Sequence, residues 1–341
     1  MNETKDSKLK KQGYVFYSLT KRHLMVFFKN IPTVIFTLMV PLAVFAVYII
    51  FLRTLETSTI KSSLDAMIRA DGSSQLVIGS LEYKGILKKV YGIADCWMVA
   101  GVLAVSCITV SLNTNYIVVR DKESGVTRDF TSSPIDYRII IASYFTFNVI
   151  VTFLVNVLVY LLCLIVLGIY GAYMISFMDF FAILGVLLLS TISASLITFF
   201  ICSFIKSESV MSPIVAIVSA AIGFLIGAYL PGNFGPKYIG YVTTFFPGTY
   251  SVGLLRNYFL STPIALLYDD LKTYHLEGLV KELSKQFSLD IDFFDHMIKP
   301  WHMVLVILGF IIVFVVLNLI FSSDNFFKVS LLKKKKDKKQ R

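Results

Sequence analysis

A cluster of alternating acidic and basic residues lies between two long apolar stretches near the middle of the chain. Residues 120–134 read RDKESGVTRDFTSSP, with four bases beside four acids between positions 119 and 138. A short helix with both charge signs, punctuated by Gly125 and Pro134, suits docking in a cleft of another protein. The alternative is a solvated loop, although a loop that only sets membrane orientation would need bases alone.

The other reactive side chains show no pattern of a metal or catalytic site. The four cysteines and four histidines are scattered, and no CxxC, HExxH or G-x-S-x-G occurs. A nucleotide-binding G-x-x-x-x-G-K-[ST] is also missing. We therefore expect this chain to bind no metal or cofactor, and we interpret the acidic groups at 269–270 and 290–295 as solvated.

Uncharged polar residues recur inside three of the apolar stretches, the second, third and fourth. They can join helices by hydrogen bonds, or they can line a path for an amphipathic substrate. The first role is favoured for any single residue. The candidates for the second role are Asn148, Asn156, Ser190, Ser193 and Thr198.

The chain that carries these residues has the composition of an integral membrane protein. It is 56% hydrophobic and 16% charged, whereas soluble domains have about 25% charged residues. A helix needs about 20 apolar residues to cross the hydrocarbon core. We predict an all-α membrane protein with six transmembrane helices, at about 31–52, 94–118, 139–168, 179–205, 210–230 and 302–322.

The distribution of lysine and arginine predicts the orientation. Six crossings place both termini on one side, and that side then holds 20 of the 32 basic residues. The positive-inside rule makes it the cytoplasmic side. We expect a multi-pass protein of a cell membrane, namely a bacterial plasma membrane. We expect no binding of nucleic acid.

Several segments outside the spans have patterns of their own. Residues 14–30, in a cytoplasmic segment 1–30, predict an interfacial helix with Phe16, Leu19, His23 and Phe27 near one face. The outer loops cover about 53–93 and 231–301, the charged inner loop covers 119–138, and a basic tail covers 323–341. Within the second outer loop, 238–261 could enter the outer leaflet and return, and 269–288 has the spacing of an amphipathic helix.

The predicted spans contain almost no charge. Residues 139–178, 180–205 and 209–236 contain no charged residue, whereas charged residues inside spans usually mark the path of an ion or proton. A carrier driven by an ion gradient would normally need such groups. If the chain transports a substrate, the energy must come from a partner.

The charged loop resembles the inner-loop signature of the type-2 ABC exporter permeases, roughly R-E-R-E-x-G-T followed by S-P. Arg120–Gly125 and Pro134 occupy the corresponding positions, with Asp121 where glutamate is common. The interfacial helix KRHLMVFFKN before the first span, the six spans with inner termini and the outer segment FFPGTYSVGLLRN are similar to the same family. A second departure is Val126-Thr127, where threonine often follows the glycine directly. The two departures and the long outer segment leave the subfamily, and hence the substrate, open.

The resemblance implies a mechanism in which two six-span subunits, identical or different, each pair with a cytoplasmic ATP-binding subunit that holds ATP and Mg²⁺. The inner loop, at 120–130, would act as the coupling helix, with Glu123 in polar contact with the ATPase and Arg120 and Arg128 in support. The 14–30 helix would help to form the docking surface. The residues implied in coupling are Arg120, Asp121, Lys122, Glu123, Gly125 and Arg128. The substrate would be a hydrophobic or amphipathic drug, peptide or lipid-linked compound, moved outward.

Two other classes stay open from the residues alone. A membrane-embedded enzyme acting on lipid or cell-wall precursors would need a polar cluster at one membrane face. A secondary carrier or channel would depend on an ion gradient, against which the uncharged spans argue. Activity of the purified chain without ATP or partner would favour the enzyme.

Overall fold

A computed structural model of the protein describes residues 5–70, 77–133, 135–171, 175–229, 241–274, 280, 291–293 and 296–337. In this part of the chain, eleven helices and one short hairpin are assigned. The helices are α1 Lys5–Lys29, α2 Ile31–Val47, α3 Arg53–Ala70, α4 Leu81–Thr114, α5 Tyr116–Ser124, α6 Val126–Ser132, α7 Tyr137–Ile169, α8 Phe177–Phe204, α9 Glu208–Leu225, α10 Pro247–Lys272 and α11 Pro300–Asp337. A π-helical turn, Tyr48–Leu52, joins α2 to α3, and the strands are β1 Ile291–Phe293 and β2 His296–Ile298.

The prediction of an all-α membrane protein with six spans is confirmed. Six helices of the described chain are long and apolar enough to cross a bilayer: Ile31–Phe51, Leu81–Ser124, Tyr137–Ile169, Phe177–Phe204, Glu208–Leu225 and Pro300–Phe321. The antiparallel β-hairpin, with Ile291 opposite Ile298, was not predicted. Most of the predicted amphipathic helix 269–288 lies outside the described residues.

Helix α4 is the centre of the bundle. From Val90 onward its side chains are almost all buried, and α2, α7, α8, α9 and α10 pack around the helix. Small residues permit this crowding: a Cβ on Gly101 would lie 2.6 Å from the carbonyl oxygen of Ala228. The helix begins at the Ser80 cap, whose hydroxyl accepts a hydrogen bond from Tyr83 N at 3.1 Å. It therefore starts thirteen residues before the predicted span.

The first span also extends beyond the predicted boundary. α2, the π-helical turn and α3 run without interruption from Ile31 to Ala70, a length of about 60 Å at 1.5 Å per residue. This is about twice the hydrocarbon thickness, so α3 projects beyond it. There α3 packs on the beginning of α4 with Leu64 and Ile68 buried. The segment predicted as the first outer loop is thus helical in α3 and in the beginning of α4.

Helix α10 begins deep inside the bundle. A Cβ on Gly248, its second residue, would meet Ile226 beyond the end of α9 and Ile108 of α4. The main partners of α10 are α4, α8 and the last helix. The backbone of α10 is packed against protein, as a segment that enters the membrane and returns would require; re-entry of 238–261 stays a prediction.

Helix α1 is separate from the first span. Asn30, with φ −88° and ψ 77°, breaks the helix, and its side chain caps α2. Leu19, His23 and Phe27 are buried on the face that packs against α7, and Phe16 is half-buried. The predicted face is correct, although the helix begins at Lys5 and that face contacts protein.

Candidate functional site

The charged loop folds as two short helices joined at a glycine. α5 ends at Ser124, Gly125 has φ 89°, and α6 begins at Val126. This left-handed conformation is strained for residues with a Cβ. Arg128 N donates to Gly125 O at 2.8 Å and starts the next turn. We call residues 116–132 the elbow. Pro134, the expected second breaker, lies outside the described residues.

Asp121 of the elbow is buried and faces the bundle. Its carboxylate accepts two hydrogen bonds from the guanidinium of Arg22, at 2.5 and 3.1 Å, and one from Tyr144 Oη at 2.6 Å. Arg22 belongs to α1 and Tyr144 to α7. A bidentate arginine–carboxylate pair fixes orientation as well as distance, so one aspartate joins the elbow to two other helices. The hydrogen bond to Asp121 raises the pKa of Arg22.

His23 completes this contact from α1. Its ring stacks on Tyr144 with centroids 4.0 Å apart, and Nε2 lies 3.3 Å from Ser143 Oγ. The side chain is fully buried. Burial, and then the positive charge of Arg22, lower the pKa of His23 to about 3. The ring is therefore neutral at physiological pH and packs as an aromatic group.

Lys122 and Glu123 connect the elbow to the turn between α8 and α9. Lys122 Nζ donates to Cys202 O at 3.0 Å and to Ser203 O at 2.9 Å, at the carboxyl end of α8. Glu123 Oε2 accepts from Glu208 N at 2.7 Å, at the amino end of α9. Each charge opposes the partial charge of the helix end that it contacts. The elbow thus binds both sides of this turn.

The six predicted coupling residues therefore divide by direction. Asp121 and Lys122 point inward and hold other helices. Arg120 and Glu123 are exposed, and Arg128 is half-buried. The Arg120–Glu208 pair is 3.8 Å apart with both side chains about half exposed, so its contribution is small. Contact with an ATPase stays a prediction for the outward residues.

The candidate path residues lie in the interior between α4, α7 and α8. Ser111 Oγ donates to Asn148 Oδ1 at 2.8 Å and lies 2.6 Å from Thr198 Oγ1. Asn156 accepts a hydrogen bond from Ser106 and donates to Thr152 O at 2.7 Å. Ser190 and Ser193 are also buried. This geometry favours helix–helix hydrogen bonding, and path lining stays a prediction.

A second ion pair braces the opposite end of the bundle. Arg53 Nε and Nη2 donate to the Asp95 carboxylate at 2.8 and 3.0 Å, and Tyr48 Oη donates to it at 3.2 Å. The Arg53 guanidinium also lies 4.0 Å from the Tyr170 ring centroid. Asp95 thereby joins the π-helical turn and the beginning of α3 to α4.

Arg256 of α10 is a buried cation inside the bundle. Its Nη2 donates to Gly227 O at 2.9 Å and Ala228 O at 3.0 Å, and its guanidinium lies 4.4 Å from the Trp97 ring centroid. Gly227 has φ 67° and lies two residues beyond the end of α9. The arginine thus donates hydrogen bonds to carbonyl oxygens just beyond the end of α9. Irregular backbone is tolerated at membrane depth when its polar groups find such partners.

Sequence reasoning did not identify Arg22, Tyr144, Arg53 or Arg256 as parts of these networks. Arg22 and Asp121 lie 99 positions apart, and no local pattern reports such a pair. A weak signal existed for His23, because it falls on the apolar face of α1. Among the described residues, no group of three or more His, Cys, Asp or Glu is arranged to hold a metal.

Comparison with known proteins gives a family. Residues 87–323 match the family described as ABC-2 family transporter protein. This range begins in α4 and ends in α11, so it contains the elbow and five of the six candidate spans. No curated protein matches the chain. The matched range is well over half of the 341 residues, and the chain therefore belongs to the ABC-2 transporter family as a membrane permease.

Proposed function

We propose that the chain is the membrane-spanning subunit of an ATP-driven exporter and that a separate cytoplasmic subunit binds and hydrolyses ATP with Mg²⁺. The observation that carries this proposal is the elbow, whose inward residues Asp121 and Lys122 hold three other helices while Glu123 and Arg120 are exposed. Family membership supports a transport subunit. A second permease subunit, identical or different, would complete the transporter.

The elbow is placed to transmit force. α5 follows α4 after a break at Asn115, whose Nδ2 donates to Thr198 Oγ1 of α8 at 3.0 Å. A displacement of α5 would therefore act on the central helix of the bundle. Through Asp121 and Lys122 it would also act on α1, α7 and α8. Packed helices move as units rather than deforming continuously, so an ATP-driven movement at the elbow would shift the membrane helices together.

The outward residues supply the proposed docking chemistry. Glu123 would accept hydrogen bonds or pair with a base of the ATP-binding subunit, and Arg120 and Arg128 would pair with its acids. In the orientation proposed here, the protein lies in a cell membrane with the elbow and both termini on the cytoplasmic side and α3 on the outer side. The substrate proposed is hydrophobic or amphipathic, because the chain offers uncharged, largely apolar spans.

The test is a charge reversal on the elbow. The tagged protein carrying Glu123→Lys with Arg128→Glu is purified from its native membranes, and the co-purifying ATPase activity is measured. We expect membrane insertion to persist and the ATPase activity to be lost. Unchanged co-purification would contradict the proposal.

Two control variants separate docking from folding. Glu82→Lys with Lys84→Glu reverses an exposed pair at the opposite end of α4 and should leave the ATPase bound. Glu123→Gln keeps an oxygen that can accept from Glu208 N but removes the charge. If charge serves docking, this variant also weakens ATPase binding. If only the contact with α9 matters, it behaves like the unmodified protein.

A further inference from the structure

We propose that the exposed face of α1 is a binding surface for the headgroups of anionic phospholipids. The residues of this face recur every three or four positions along the helix, on the side away from α7. They are Lys10, Tyr14, Tyr17, Lys21, Met25 and Phe28, and we call them the outer stripe.

The outer stripe is too apolar for a face in water. Tyr14 is 73% exposed, Tyr17 62%, Phe28 49% and Met25 45%. The opposite face of α1 is already buried against α7. A surface helix in water usually has one apolar face and one polar face. Large apolar groups on the second face of α1 indicate a second apolar environment.

The charges on this part of α1 have one sign. Lys10, Lys21 and Lys29 are exposed, whereas Arg22 is bound to Asp121. No acidic residue occurs between Asp6 and Glu56. A partner that covers this face therefore has to supply negative charge and tolerate aromatic rings.

Phospholipid headgroups meet both requirements. α1 ends at Lys29, and the first span begins two residues later at Ile31, so this end of α1 lies at the membrane boundary. Tyrosine and lysine are amphipathic, with an apolar body and a polar tip, and are favoured at headgroup level. A basic helix with aromatic residues attracts anionic lipid in particular. A soluble protein surface would have to cover Tyr14, Met25 and Phe28 while remaining acidic.

Lipid bound here would restrain the elbow. Arg22 lies next to Lys21 of the outer stripe and holds Asp121 of α5 through two hydrogen bonds. Fixing α1 on the inner surface would therefore fix one attachment of the elbow. The lipid site itself does not depend on the proposed ATP-driven export, because lipid binding is measured on the permease alone.

The experiment measures lipid retained by the full chain purified in neutral detergent. The protein is titrated with phosphatidylglycerol or phosphatidylcholine, and bound lipid is counted by native mass spectrometry. We expect a preference for phosphatidylglycerol that weakens as salt is raised. Lys10→Gln with Lys21→Gln and Lys29→Gln should lower that affinity by about fivefold per lysine, on the order of a hundredfold in total.

Three control variants identify the source of the binding. Arginine at the same three positions keeps the charge and should keep the preference. Lys84→Gln with Lys88→Gln, exposed on α4 at the opposite end of the bundle, should change nothing. Replacing the six lysines between 333 and 339 tests the tail. Equal binding of both lipids, an unchanged affinity in the glutamine variant, or loss only in the tail variant would each overturn the proposal.

Discussion

The charged cluster performs two tasks at the level of single residues. Neighbours in sequence point in opposite directions: Asp121 is 4% exposed, whereas Glu123 is exposed and contacts the amino end of α9. Two positions along a helix correspond to a rotation of about 200°, so Asp121 faces the bundle while Glu123 faces the surface. An interpretation of the charged cluster as a docking surface alone therefore misses its role in holding the helices together.

The Arg22–Asp121 pair yields a prediction about stability. Replacing Arg22 with Met removes both hydrogen bonds and leaves a buried carboxylate with Tyr144 as its remaining partner among those described above. We expect a loss of about 2–3 kcal/mol in the free energy of unfolding, somewhat less than for a fully buried pair because Arg22 is partly exposed. Unfolding in mixed micelles of increasing denaturing detergent measures it.

A double-mutant cycle checks that the loss comes from this pair. Asp121→Asn alone should cost less than Arg22→Met, because the released guanidinium can reach water whereas the carboxylate cannot. The double variant should cost less than the sum of the single variants, with a coupling energy of at least about 1 kcal/mol. Additive losses would show that the two residues stabilise the protein independently.

At the level of elements, close backbone contact in the bundle depends on one glycine of α4. A Cβ at Gly101 would approach Ala228 O to 2.6 Å. This carbonyl is held by Arg256 and so cannot move away freely. Gly101→Ala should therefore destabilise the protein by about 1–3 kcal/mol, measured by the same unfolding assay.

The same helix contains a matched control for this substitution. Gly85 has no atom within 4 Å of its added Cβ and lies in an exposed part of α4. Gly85→Ala should stabilise by about 0.5–1 kcal/mol, because alanine has the higher helix propensity. If both substitutions stabilised the protein, helix propensity and not backbone contact would determine the effect at Gly101.

Hydrophobic periodicity predicted the spans better than their ends. A run of apolar residues reports the part of a helix that lipid or protein covers, so the six spans were correct. It does not report where a helix continues into water, and α4 begins at Ser80 because of a cap, not because of hydropathy. The start of α10 at Pro247 was foreseeable, since proline is favoured in the first turn of a helix.

The candidate site was predictable in position but not in pairing. The mixed charges at 120–129 and the glycine between them marked the elbow. The partners of Asp121 and Lys122 come from α1, α7 and α8, and such contacts depend on how helices pack rather than on local sequence. Arg256 interrupted an apolar segment as an unexplained charge. Only the fold shows that it satisfies the carbonyls beyond the end of α9.

At the level of the whole molecule, the two ends of the bundle are built differently. One end holds the elbow, α1 and the carboxyl end of α8, joined by Asp121 and Lys122. The other holds α3, the beginning of α4 and the Arg53–Asp95 pair. Lys89 and Asp270 add a contact there between α4 and α10, 2.5 Å apart. Ion pairs at both ends and hydrogen bonds between them would let the bundle tilt as a body.

The distribution of charge between these ends predicts the orientation in the membrane. With the elbow inside, the net charge is +11 on the inner segments and −1 on the outer ones, as the positive-inside rule requires. Alkaline phosphatase, active only outside, is fused after Ala70, Ser133, Lys272 and the last residue, and a green fluorescent protein, bright only inside, is fused at the same sites. We expect phosphatase activity after Ala70 and Lys272, and fluorescence after Ser133 and at the carboxyl terminus. Each site is tested with both reporters in separate fusions. A low signal from poor expression is therefore distinguished from a low signal caused by the location of the reporter. Phosphatase activity after Ser133 would place the elbow outside, where no ATP-binding subunit could reach it.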